Sequence, residues 1–136
     1  MEKLIIEIGA SPNHFGGFAI NVEGINGAGN TLDECKANIL EGLNLMVKNS
    51  DKSYCKAPQW LVDGEYEIEY RYDVQSILSY YASVFTKPAL ERLTGINQKQ
   101  LHHYATGLKK PREPQRKKIE LALHRLGSEL MSVHFV

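Results

Sequence analysis

Two glycines twelve positions apart, Gly95 and Gly107, confine the stretch from Leu90 to Pro111 to a narrow set of conformations. Glycine takes positive φ without strain, so each reads as the stop of a short helix. The first helix buries Leu90 and Leu93, one turn apart, and ends at Gly95, after which Ile96 plugs the turn. Asn97 suits the N-cap of the second helix, since its side-chain oxygen accepts from a first-turn N–H, and Gln100 stands three residues on, where a capping box reaches back. Leu101 and Tyr104 then point inward, while Gln98, Lys99, His102 and His103 point out. Lys109 and Lys110 follow Leu108 and place a positive pair just beyond the second helix.

Helical signals continue on both sides. Asp73 is a cap for a helix whose apolar positions Val74, Ile77, Leu78, Tyr81, Val84 and Phe85 keep the helical period. Thr86 and Pro88 mark a fresh start, because proline is tolerated in a first turn. Arg112, Glu113 and Pro114 open a last helix, with Ile119, Leu121, Leu123 and Leu126 on its apolar side, and Gly127 ends or weakens it. The segment with Leu130, Met131, Val133, Phe135 and Val136 is too apolar for a free end and is expected to form a short helix or strand at a dimer contact.

The first half reads differently. Leu4, Ile6 and Ile8 alternate with Lys3, Ile5 and Glu7 as in a half-buried strand. A turn at Ser11 to His14 and the pair Gly16 and Gly17 lead to a second strand over 18–23, so 3–23 reads as an antiparallel hairpin. Residues 24–29, with three glycines, form a turn or a very short third strand. Thr31 and Glu34 have capping-box spacing and start a helix that buries Leu32, Cys35, Ile39, Leu43 and Met46 as far as about Lys48. A final strand over 65–72 puts Tyr66, Ile68, Tyr70 and Tyr72 on one face and Glu65, Glu67, Glu69 and Arg71 on the other. The chain is thus expected to be α+β: a sheet domain with one long helix over 1–72 and an all-helical domain over 73–136.

A net charge of zero conceals a division between these halves. Residues 1–70 hold five lysines against eleven acidic residues, a net of −6, and residues 71–136 hold eleven basic against five acidic, a net of +6. The basic half has the sign phosphate attracts; the acidic half suits a basic protein. The longest apolar runs are about three residues against the roughly 20 of a membrane span, and the first ten residues lack the pattern of a signal peptide, so a cytoplasmic protein without membrane contact is expected. Cys35 and Cys55 form no CxxC pair and are expected to stay thiols. His102 and His103, as helical neighbours, point about 100° apart and do not chelate a metal. No cofactor or metal is expected.

The second half resembles the lambda-repressor-like, or Cro-type, helix-turn-helix domains, on Leu90, Gly95, Ile96, Leu101, Tyr104 and Gly107 at the family's relative spacings, followed by a basic loop and Pro111. Glu91 and Thr94 stand where that family has a small and an apolar residue. The first half resembles the HicB antitoxin domain, a small partial RNase H-like fold, on a strand hairpin followed by the glycine-containing turn and capped helix start of 22–38. Together these resemblances imply an antitoxin that inhibits HicA, a basic mRNA-cleaving toxin, and represses its own operon as a dimer or larger assembly.

In that setting Gln98, Lys99, His102 and His103 are candidates for base contacts, since glutamine pairs with adenine and lysine with guanine. Lys87, Asn97, Lys109, Lys110, Arg112 and Arg116 are candidates for phosphate contacts, where charge and reach decide. No catalytic residue and no enzymatic activity are expected. Glu7, Glu23, Glu34 and Asp73 are the carboxylates available to a metal-dependent RNase H-like nuclease, the remote alternative, but caps account for two of them. The nearer alternative is a stand-alone repressor whose first domain serves dimerisation or sensing.

Overall fold

The alternation of the first segment becomes strand β1 (Glu2–Ser11), in which Leu4, Ile6 and Ile8 are fully buried. The computed structural model describes residues 1–11 and 14–136, and the expected turn at Ser11 to His14 has its central Pro12 and Asn13 outside the described residues. β1 pairs antiparallel with β2 (His14–Ala19), which pairs antiparallel with β3 (Asn26–Gly29). On its other side β1 pairs in parallel with β4 (Tyr66–Tyr72), giving the order β3-β2-β1-β4. The described helices are α1 (Leu32–Lys48), α2 (Gln59–Val62), α3 (Val74–Tyr80), α4 (Lys87–Thr94), α5 (Gln98–Thr106) and α6 (Glu113–Met131). The fold is α+β with a mixed sheet, and the chain divides into two compact units, Met1–Ser76 and Ile77–Val136. None of the described helices is long and apolar enough to cross a membrane.

In the first unit, the second strand lies earlier than the expected 18–23. Gly16 and Gly17 are inside β2, not in the turn before it, and the chain leaves the strand after Ala19. A reversal over 20–25 follows, closed by the Ala19 N–H donating to the Ile25 carbonyl (2.9 Å), with Gly24 at φ 95°. The Asn21 side chain extends the pairing, accepting from the Ile5 N–H (3.0 Å) and donating to the Lys3 carbonyl (2.7 Å).

Glycines decide how α1 meets the sheet. A Cβ on Gly27 would lie 2.6 Å from the Ile39 backbone nitrogen, and one on Gly29 2.7 Å from that of Cys35. At this separation Asn38 Nδ2 donates to the Ala28 carbonyl (2.5 Å), so α1 covers the β3 edge. The Thr31 hydroxyl accepts from the Glu34 N–H (3.0 Å) as expected, but the Glu34 carboxylate reaches the N–H of Asn30 (3.4 Å), one residue before the cap. The aromatic face of β4 packs half-buried against the core, with the Lys36 ammonium 4.5 Å from the Tyr70 ring centre.

In the second unit three expectations give way. α3 stops at Tyr80, and Val84, expected on its apolar side, is 65% exposed. α6 runs through Gly127 to Met131 and buries Ile119 and Ala122, leaving Leu121 exposed. Residues 132–136 form neither helix nor strand.

Replacing Gly27 by alanine should force α1 off β3 and cost about 1–3 kcal/mol, the usual range for overpacking, read as a lower urea midpoint for the first unit. The control Gly16→Ala, where an added Cβ meets nothing within 4 Å, should change it far less.

Candidate nucleic-acid interface

α4 starts on the Thr86 hydroxyl, which accepts from the Ala89 N–H (3.2 Å), with Pro88 in its first turn. It ends at Gly95, whose φ of 75° lies in the left-handed region. Thr94 completes the turn: its hydroxyl donates to the Leu90 carbonyl (2.7 Å) and accepts from the Ile96 N–H (3.1 Å). Buried Ile96 then leads into α5, where Asn97 Oδ1 accepts from the Lys99 N–H (2.7 Å). α5 ends at Gly107, φ 81°. Both helix stops and the cap are thus where the sequence puts them. Gln100, however, donates to the Tyr104 hydroxyl (2.8 Å) instead of reaching back to the cap.

The reach to the start of α5 comes from Glu91 of α4. One carboxylate oxygen accepts from the Gln98 N–H and the other from Gln98 Nε2, each at 3.2 Å. Sequence reading takes Glu91 only as a departure in residue type. No local pattern marks the contact: the free first-turn N–H groups of α5 need acceptors, but which side chain reaches them is decided by how α4 packs on α5.

Leu101 and Tyr104 are buried and fix which side of α5 looks out. Gln98, Lys99 and His102 are exposed on the opposite side. His103 is not fully outward as expected: it is half-buried, and its Nδ1 is shielded with no hydrogen-bond partner. Of the candidate phosphate contacts, Lys109, Lys110, Arg112 and Arg116 are exposed, and Lys87 is half-buried in the first turn of α4. None of them, nor Lys99, is in an ion pair among the described residues. Asn97 commits its side-chain oxygen to the cap, which leaves its amide NH2 for an incoming acceptor. The second unit carries ten basic against four acidic residues, a net of +6.

Elsewhere the carboxylates have local work. Asp73 accepts from the Ser76 N–H (2.7 Å) and from its hydroxyl, and Glu69 sits between Lys3 (3.2 Å) and Arg71 (2.7 Å), which hold its carboxyl below the usual carboxylate range. No group of three or more described His, Cys, Asp and Glu residues is placed to hold a metal ion. In comparisons with models of protein families, with curated proteins and with solved structures, nothing matches the chain.

Desolvation pushes the His103 imidazole below the ordinary 6.5, and the positive charges of Lys109, Lys99 and His102 push the same way. The fold therefore favours neutral His103, and its stabilising effect is present above pH 6.5. As pH falls below 6.5 the unfolded chain takes up a proton that the folded chain resists, so stability declines. The His103 ring resonances should titrate below pH 6.5 in an NMR series, and His103→Gln should flatten the fall of Tm in that window.

Proposed function

We propose that the protein is a HicB-like antitoxin, with a partial RNase H-like first unit and a Cro-type helix-turn-helix second unit. The first unit neutralises a small, basic, mRNA-cleaving toxin of the HicA type by direct contact. The second unit binds operator DNA and represses the operon. The observation that carries this reading is α5: a helix capped at both ends, fixed by two buried side chains, with Gln98, Lys99 and His102 exposed on one side and, following at 109–116, four exposed cations with no ion pair among the described residues. A helix of this kind enters the major groove, its polar side meeting base edges while flanking cations meet phosphates. A second copy on a half-site one helical turn away supplies the affinity one short helix lacks.

Charge supports the toxin half. The first unit has six basic and twelve acidic residues, a net of −6, which attracts a basic ribonuclease and is repelled by nucleic acid. The function needs no catalytic group of its own, since covering a ribonuclease's RNA-binding surface is enough to silence it.

Two measurements test the two halves separately. Co-expression with the small basic protein of the adjacent reading frame should restore growth, and the two should co-purify. A chain that does neither but still binds DNA is a stand-alone repressor, and the antitoxin reading is lost. For the DNA half, Lys99→Ala with His102→Ala should weaken binding to the selected sequence far more than to random duplex. Lys109→Ala with Lys110→Ala should weaken both alike and reduce the salt slope by about 2. Equal losses from both pairs would reduce Lys99 and His102 to phosphate contacts.

A further inference from the structure

The two bonds from Glu91 to Gln98 have a consequence for what Gln98 presents. An ionised carboxylate accepts hydrogen bonds and donates none, so the end of the Gln98 amide that faces it is the NH2, not the carbonyl. The second bond, to the Gln98 backbone N–H, ties the same carboxylate to the first turn of α5. The amide is therefore held at one end relative to the helix axis. One Nε2 hydrogen is occupied by Glu91, and the groups left to face outward are the other Nε2 hydrogen and Oε1.

One donor beside one acceptor is the complement of adenine in the major groove, where N7 accepts and the N6 amino group donates. Guanine offers two acceptors there, N7 and O6, and is met by two donors. An unrestrained glutamine amide is able to turn over or to spend both NH2 hydrogens on guanine; the Glu91 carboxylate removes both options. We propose that Glu91 is a specificity-determining positioning residue, which holds the Gln98 amide in the orientation that reads adenine and rejects guanine. The proposal rests on the DNA-binding reading of α5.

The test uses the full chain and a duplex pool randomised over about 20 base pairs, enough for two half-sites one helical turn apart. Binding to the wild-type selected duplex and to each single-base variant is then measured for the wild type, Glu91→Ala, Glu91→Gln, Gln98→Ala and the Glu91→Ala, Gln98→Ala double variant. The wild type should prefer adenine over guanine about tenfold or more at one position of each half-site, as expected of a well-made bidentate contact. Glu91→Ala and Glu91→Gln should both reduce that preference to about twofold or less and leave the other positions unchanged. The Gln variant keeps a hydrogen-bonding side chain but also donates, which frees the amide to turn. The double variant should match Gln98→Ala, because the effect passes through that amide. Undiminished adenine preference in both Glu91 variants overturns the proposal. So does an equal loss at every position together with a fall in Tm, which marks Glu91 as a helix cap and nothing more. A wild type that selects no sequence at all instead overturns the DNA-binding reading on which the proposal stands.

Discussion

The first unit depends on how near one helix comes to one sheet edge. α1 lies against β2 and β3 at a distance that a methyl group would prevent, since Cβ atoms on Gly17, Gly27 and Gly29 would each fall within 3.0 Å of Ile39, Asn38 or Cys35 atoms. Because the backbones approach so closely, Ile39 and Cys35 are completely buried and Asn38 reaches an edge carbonyl that a more distant helix would leave to solvent. Burying a branched side chain fully is worth about 1.5–3 kcal/mol, so packing gained at Ile39 alone is of the size of the roughly 0.5–1 kcal/mol that each of the three glycines costs inside a strand, and the burial of Cys35 adds to it. β3 is four residues long, and α1 packs on it and closes that edge. This leaves β4 as the outer strand on the far side of the sheet.

The second unit has the same dependence on glycine for a different reason. Gly95 and Gly107 supply left-handed conformations that end α4 and α5, and without them neither helix stops where its neighbour begins. Between the two stops, α5 has only nine residues, too few for a helix to persist alone in water. Its order comes from outside: Leu101 and Tyr104 are buried, Asn97 caps it, and Glu91 reaches it from α4. Thr94 shows how a polar residue is accommodated at the turn, since its hydroxyl donates to a carbonyl on one side and accepts from an N–H on the other, and is itself fully paired.

The elements that sequence reading located well are those whose signal is local. The caps at Thr31 and Asn97, the fresh start at Thr86 and Pro88, the stops at Gly95 and Gly107, and the alternation of β1 and β4 each depend on residues within a few positions of one another. What it misplaced depends on contacts between distant segments. Gly16 and Gly17 have the composition of a turn, yet they sit in β2, paired with Gly9 and Ile8 of β1 and with Ala28 and Gly27 of β3, and Gly17 leaves the space that Ile39 of α1 fills. Leu121 is a miss of a different kind: it stands two residues after Ile119, about 200° round α6, so the helical period itself exposes it while Ala122, at about 300°, is buried beside Ile119. In the candidate interface Gln98, Lys99 and His102 were readable from helical geometry. The Glu91 bonds depend on the packing of α4 on α5 and were not, and neither was the partial burial of His103.

Glu91 also shows why charge alone is a poor guide to the second unit. Of the four acidic residues there, Glu113, Glu120 and Glu129 lie on α6, two of them one turn from Lys117 and His124. Glu91 is the acidic residue of the α4–α5 pair, on a surface otherwise populated by cations. Against phosphate it is unfavourable, by about 1 kcal/mol at 4 Å in water and more where solvent is excluded. A neutral amide at this position would avoid that repulsion, but it both donates and accepts, and so would hold the Gln98 amide in either orientation. A hydroxyl has the same ambiguity. Only a carboxylate offers two acceptor atoms and no donor, one for the Gln98 N–H and one for its Nε2. The negative charge is therefore best understood as the cost of an acceptor that leaves the neighbouring amide a single orientation.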